Sequence, residues 1–323
     1  MENNKSGRAS QPHTVTALAG GIGAARFLTG LVEAMDPSNI TVIANTGDDI
    51  ELHGLRICPD IDTVLYTLAG VVDPERGWGV RDDSFECLKW LGLYGASTWF
   101  NLGDRDMATH LRRTSRLAEG ASLSQVTEEM TNALGVKVRV LPMTDSYAPT
   151  IVRTDEGRMH LQEYFVRRRC EPNIRAIEYQ NIERTRPAPG VLESIARAEL
   201  IIVCPSNPFI SIGPILAVPG VREALLQGTA KIAAVSPIVG GRAIKGPAAA
   251  MLRDLGFEVS ATAVSRMYRD FVRIFVLDQT DAALAPRVEA MGMRTVVTNT
   301  IMESKADKRA LAEMILNASM LRF

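Results

Sequence analysis

Four aspartates stand within fifteen residues of one another. Asp48 and Asp49 close the run Asn45-Thr46-Gly47-Asp48-Asp49, and Asp60 and Asp62 lie in Cys58-Pro59-Asp60-Ile61-Asp62-Thr63. Hard oxygen donors at this density suit Mg²⁺, which keeps several waters and needs only one or two carboxylates beside the phosphates of a substrate. The architectural alternative is that Asp62 caps the helix that follows it. Upstream lies Gly20-Gly21-Ile22-Gly23-Ala24-Ala25-Arg26. Glycines let a backbone turn sharply and approach a phosphate, and a helix starting there offers free N–H groups and the positive end of its dipole. The alternative is a tight turn without a ligand. A dinucleotide site adds one acidic residue about 20 positions on, at the end of the second strand. Here the second apolar run ends in adjacent acids, which suits a metal or a hydroxyl better than a ribose diol. The GK[ST] ending of a Walker loop is absent.

Three further stretches carry polar groups. In Gly103-Asp104-Arg105-Asp106-Met107-Ala108-Thr109-His110-Leu111-Arg112-Arg113-Thr114, Asp104 stands where a helix cap belongs. Arg105, Thr109, His110 and Arg113 then recur at helical spacing and could line a cleft; a salt-bridged surface face is the alternative. Pro205-Ser206-Asn207-Pro208-Phe209-Ile210-Ser211-Ile212-Gly213-Pro214 follows an apolar run and offers Ser206, Asn207 and Ser211 at its end. Ser236-Pro237-Ile238-Val239-Gly240-Gly241-Arg242-Ala243-Ile244-Lys245-Gly246-Pro247 is a glycine-rich loop with two cations, suited to an anion. No GxSxG elbow, HExxH or Cys/His zinc spacing occurs, which removes support for hydrolase and zinc chemistry.

The elements that must position these groups are legible in the apolar periodicity. TVTALAG (14–20) is a β-branched run, and Phe27, Leu28, Leu31, Val32 and Met35 form one helical stripe after the glycines. ITVIAN (40–45) is the next strand. Strand, glycine turn, helix, strand opens a doubly wound parallel sheet, whose strands read as continuous apolar runs because both faces are covered. Residues 62–135 read as mostly helical, with segments near 62–70, 82–94, 104–117 and 122–134. Strands follow at 137–143, 150–154, 158–166, 200–206, 231–237, 273–278 and 295–300. Helices fall near 189–198, 219–227, 247–255 and 304–317. The expectation is an α/β, Rossmann-like core of residues 14–61 and 136–317, a helical insertion or lid at 62–135, and a disordered polar leader at 1–13.

Composition sets outer limits. The chain has 323 residues, 46% of them hydrophobic, and a formal net charge of -1. That excludes a disordered or polybasic protein and argues against nucleic acid as a partner. No apolar run reaches the roughly 20 residues of a membrane span. The four cysteines have no ligand spacing, and a reducing cytoplasm is the expected location.

The stretches GGIGAARFLTGL, NTGDD, HGLRICPDIDT, GDRDMATHLRRT, PMTDSYAPT, PSNPFISIGPIL and SPIVGGRAIKGPA occur in this order over about 14–250. Together they resemble the 2-phospho-L-lactate transferase (CofD) family of coenzyme F420 biosynthesis, with its phosphoenolpyruvate transferase branch. The resemblance implies a homodimeric, Mg²⁺-dependent enzyme. It would move a phospholactyl or phosphoenolpyruvyl group from a GDP-activated donor to the ribityl hydroxyl of a deazaflavin, 7,8-didemethyl-8-hydroxy-5-deazariboflavin, and release GMP. Carried onto this chain, it implies Asp48, Asp49 and Asp62 as metal ligands, with Asp49 or Asp62 also serving the chemistry. Gly20, Gly21, Gly23, Ser206 and Asn207 would hold the nucleotide, and Asp104, Arg105 and His110 would enclose the deazaflavin. An Asp62→Asn change is expected to lower turnover and leave the fold intact. The different class that shares the glycine loop is a nucleotide-sugar-binding regulator of the YvcK type; GDRDMATH and SPIVGGRAIKGPA favour the transferase.

Overall fold

The computed structural model describes residues 12–321. All but the last two residues of the expected leader lie outside that range. β1 (Val15–Ala19) is buried at every position, as a strand covered on both faces must be. It runs through Gly20 into α1 (Gly21–Ala34) and on to β2 (Ile40–Ala44), which pairs parallel with it. A short hairpin, β3 (Ile50–Leu52) and β4 (Leu55–Ile57), leads to α2 (Pro59–Leu68). Then come α3 (Glu86–Leu93), α4 (Asp104–Ala118) and α5 (Leu123–Ala133), and β5 (Arg139–Pro142) returns to the sheet beside β2.

An antiparallel annex follows, with β6 (Thr150–Thr154) between β7 (Gly157–His160) and β8 (Ile174–Tyr179). The chain then rebuilds the sheet on the other side of β1. The order is α6 (Val191–Arg197), β9 (Leu200–Val203), α7 (Gly213–Ala217), α8 (Val221–Gln227) and β10 (Lys231–Val235). The small hairpin of β11 (Ile238–Val239) and β12 (Arg242–Ala243) precedes α9 (Ala248–Asp254) and α10 (Ala261–Tyr268). β13 (Ile274–Asp278), α11 (Ala285–Glu289), β14 (Arg294–Thr298) and α12 (Lys305–Met320) complete the fold.

The main sheet has seven parallel strands in the order β14-β13-β10-β9-β1-β2-β5. Strand side chains alternate between two cores. Val15, Ala17, Val42, Ile202 and Val276 meet Phe27, Leu31, Ile61, Leu65 and Ile315 on one face. Leu18, Ile43, Ile201, Ala234 and Phe275 meet Val191, Ile195, Leu225 and Val264 on the other. The strand order reverses between β1 and β9, so the loops leaving their carboxyl ends diverge and leave a crevice, the place where open α/β sheets take ligands.

Three expectations change. The insertion does not stand apart: α2 starts at Pro59, and its Ile61, Val64 and Leu65 join Leu123 and Val136 in the main core. The strand expected over 158–166 ends at His160, and the chain coils into a helical turn with Leu161 and Tyr164, three residues apart, both fully buried. The stretch after β9, read as a loop, winds helically from Pro208 into α7 because Asn207 Oδ1 accepts the N–H groups of Phe209 and Ile210.

α1 crosses α12 where Gly30 lies. A β-carbon there would come within 2.2 Å of the Lys308 backbone, which cannot swing away as a side chain tip can. Gly30→Ala is therefore expected to destabilise the chain by about 1–3 kcal/mol in denaturant unfolding, with ligand affinity unchanged in the folded fraction.

Candidate active site

A cavity of about 470 Å³ opens at the carboxyl edge of the sheet, over the crevice between β1 and β9. Gly20, Gly21 and Gly23 line it, with Asp48, Asp60 and Asp62 beside them. Gly21 has a φ of +72°, which an L side chain resists. A β-carbon on Gly23 would lie 2.3 Å from the Pro205 carbonyl oxygen. The glycines thus let the loops after β1 and β9 touch, and Ser206 Oγ locks that contact by donating to the Gly20 carbonyl at 2.8 Å.

Two carboxylates dominate the polar wall. Asn45, at the end of β2, donates through Nδ2 to Asp48 Oδ1 at 2.9 Å and to Asp60 Oδ2 at 2.8 Å. Asp60 Oδ1 accepts the Gly21 N–H at 2.8 Å. Both acids are buried, and among the described residues no cation offsets either one. Burial, then the charge of Asp60, holds Asp48 well above the usual carboxylate range. Burial likewise raises Asp60 to about 7, against the pull of its hydrogen bonds to Asn45 and Gly21.

The other two acids already have cationic partners. Asp49 Oδ2 accepts from Arg56 Nη2 at 3.1 Å and from Cys58 Sγ at 3.0 Å. Arg56 in turn stacks over the Tyr147 ring at 4.0 Å. Burial pushes Asp49 up to about 6 against the opposing charge of Arg56. Asp49 is absent from the cavity lining; it braces the β3–β4 hairpin. Asp62 does reach the cavity, but both its oxygens accept from Arg113, itself fully buried.

The same Arg113 lies 3.3 Å from His110 Nδ1. An arginine can only donate, so Nδ1 is the acceptor and the ring proton sits on Nε2, 3.3 Å from Asp106 Oδ1. Tyr66 donates its hydroxyl to Asp106 at 2.8 Å. Asp62, Asp106 and His110 offer donor atoms within 4.8 Å of one another, but a cation there would share Asp62 with a guanidinium.

Asp104 and Arg105 turn away from the cavity. The α3 and α4 helices exchange caps: Asp104 accepts the N–H groups of Glu86 and Cys87 at the start of α3. Asp83, just before α3, accepts those of Arg105 and Asp106 at the start of α4. The cavity face of α4 is instead Asp106 and His110. Asn207 lines the cavity while its oxygen caps the turn after β9. Sequence reasoning left Asn45, Asp106 and Gln162 unassigned and gave Asp60 no final role. Gln162 donates to the Asp48 carbonyl at 3.1 Å, and His160 Nε2 lies 3.0 Å from the Asp49 carbonyl. Together they dock the antiparallel annex on the acidic turn. Trp78, Phe100, Phe165 and Tyr66 supply an aromatic side to the same cavity.

The sheet order, the glycine turn at its reversal and the acids around it can now be set beside known proteins. The model of the family described as 2-phospho-L-lactate transferase CofD matches residues 15–316. This chain belongs to the CofD family. It is 44% identical to a phosphoenolpyruvate transferase of Streptomyces griseus, over 94% of this chain and 97% of that one. It is 46% identical to a phosphoenolpyruvate transferase of Kitasatospora aureofaciens, covering 94% and 96%. A 2-phospho-L-lactate transferase of Methanothermobacter thermautotrophicus is 40% identical, covering 94% and 97%. Among solved structures, protein BH3568 of Bacillus halodurans superposes with a TM-score of 0.63 at 18% identity, covering 94% of this chain and 99% of that one. That likeness shows the fold alone. The CofD chain is thus a transferase, with small molecules as substrates.

One consequence concerns Asp62. In this CofD member its loss strands a buried guanidinium, so Asp62→Asn is expected to cost stability as well as turnover. The cost is up to about 3–5 kcal/mol in denaturant unfolding. Unfolding unchanged within about 0.5 kcal/mol would count against the Asp62–Arg113 pair.

Proposed function

We propose that this chain moves a 2-phospholactyl or phosphoenolpyruvyl group from a GDP-activated donor to the terminal ribityl hydroxyl of 7,8-didemethyl-8-hydroxy-5-deazariboflavin, releasing GMP, in coenzyme F420 biosynthesis. The observation that carries this reading is one cavity joining three features: the α1 amino end, an acid pair without a cationic partner among the described residues, and an aromatic side. The identities of 44% and 46% to phosphoenolpyruvate transferases, against 40% to a 2-phospho-L-lactate transferase, favour the phosphoenolpyruvyl donor.

Mg²⁺ fits the acid pair. Asp48 and Asp60 are hard oxygen donors, side by side, desolvated and uncompensated, and a divalent cation relieves that arrangement. When bound, it would offset the negative charge of the diphosphate during phosphoryl transfer. Asn45 keeps both carboxylates aimed together. The glycine loop and Ser206 form the nucleotide side, and Trp78, Phe100 and Phe165 offer flat apolar surface to the deazaflavin ring. In the reaction, the ribityl oxygen bonds to the phosphorus that carries the phospho acid. The bond from that phosphorus to the GMP oxygen breaks, GMP leaves with its electron pair, and the hydroxyl proton passes to a carboxylate of the cavity wall. The proposal includes a homodimer working in the cytoplasm. No single helix among the described residues is long and apolar enough to cross a membrane.

The test mixes the purified chain, the deazaflavin, Mg²⁺ and each GDP-activated phospho acid, and follows GMP and product by mass spectrometry. Stoichiometric GMP with a phosphodiester-linked deazaflavin is expected, its mass naming the donor. Asp48→Asn is expected to lower kcat roughly 10²–10³-fold, the scale of losing one electrostatic stabiliser. Tight nucleotide binding without product from any donor would contradict the transfer.

A further inference from the structure

The cavity that holds the acid pair is also lined by the cations Arg26 and Lys245. Arg26 lies on α1, three residues past Gly23, and Lys245 lies just past β12. Both line the cavity, and neither makes an ion pair among the described residues. Burial and then the charge of Arg26 pull the Lys245 ammonium below its usual range. Lys308 of α12 feels the same two effects, burial first and Arg26 second, with Glu33 opposing them. Arg26 and Lys245, from two separate elements, thus face one cavity without a carboxylate paired to either among the described residues.

The hairpin that leads to Lys245 is anchored. The Gly240 N–H donates to Asp281 Oδ2 at 3.0 Å and ties down the turn of the β11–β12 hairpin. Ile238 pairs with Ala243 and Val239 with Arg242, two residues before Lys245. Like charges brought together without a counter-ion cost free energy in the empty protein, and an anionic ligand recovers it. The same cavity is also lined by Asp48 and Asp60, which repel a bare anion. A ligand that satisfies both sets of charges is therefore an oxyanion accompanied by a divalent cation.

We propose that Arg26 and Lys245 form an oxyanion subsite for the activated donor, gripping either its diphosphate or the carboxylate of its phospho-acid part. This rests on the donor class proposed above, while the anion chemistry comes from the cavity wall itself. Arg26 presents a planar fork suited to two oxygens, and Lys245 a compact point charge that completes the grip.

The experiment compares wild type, Arg26→Gln and Lys245→Gln, with matched denaturant midpoints confirming folding. Titration calorimetry in Mg²⁺ uses inorganic pyrophosphate, GDP and GMP as probes, and steady-state assays give KM for the donor. A diphosphate grip predicts that each variant loses about tenfold in pyrophosphate and GDP affinity, as expected for a charge-assisted hydrogen bond, with GMP changed much less. A carboxylate grip predicts unchanged GDP and pyrophosphate binding and a donor KM raised about tenfold. Wild-type binding of pyrophosphate but not GDP, lost in both variants, would keep the subsite and overturn the guanine-nucleotide donor. GDP binding by wild type, with neither affinity nor KM altered in either variant, would overturn the subsite and leave the donor reading intact.

Discussion

The cavity is organised around one costly arrangement: two carboxylates, Asp48 and Asp60, buried side by side with an amide between them and no cation among the described residues to offset them. Folding alone gains nothing from such a pair, because desolvated like charges raise each other's pKa and oppose burial. The rest of the structure compensates. Asn45 is placed by β2, Asp60 by the first turn of α2, and the Gly21 N–H by the start of α1. Three elements of one core converge on the two acids, so a small shift in any of them would separate the pair.

The neighbouring charges show what the same residue types do once compensated. Asp49 and Asp62 are as deeply buried, yet each has an arginine. They hold walls: Asp49 fastens the β3–β4 hairpin, and Asp62 fastens α4 to α2 through Arg113. His110 and Tyr66 extend that second contact to Asp106. The annex hangs on backbone carbonyls of the acidic turn through Gln162 and His160. The cavity thus has sides of three different origins, and Asp48 and Asp60 are acids in its lining that have no cationic partner among the described residues.

Much of this was legible in the sequence. Buried parallel strands are continuous apolar runs, so β1, β2, β9, β10 and β13 stood out, as did the glycine turn between β1 and α1. α4 and α5 followed from spacing, and the structure opens α5 with a capping box of Ser122 and Gln125. Which acids are free was not legible. Arg56 comes from the hairpin and Arg113 from α4, 51 positions from Asp62, and no local pattern announces those pairings. Asp104 misled for a similar reason: its position at a helix start was correct, but the helix it caps belongs to a neighbour. The turn after His160 was missed because Leu161 and Tyr164 are buried by tertiary packing within an otherwise strand-like stretch.

The most direct test of the account is where a divalent cation goes. Crystals of the protein grown with GDP and Mn²⁺ would show the ion through its anomalous scattering. The account predicts a peak bridging the carboxylates of Asp48 and Asp60, on the phosphate side of the cavity. A peak among Asp62, Asp106 and His110, or GDP bound with no ion at the Asp48–Asp60 pair, would contradict it.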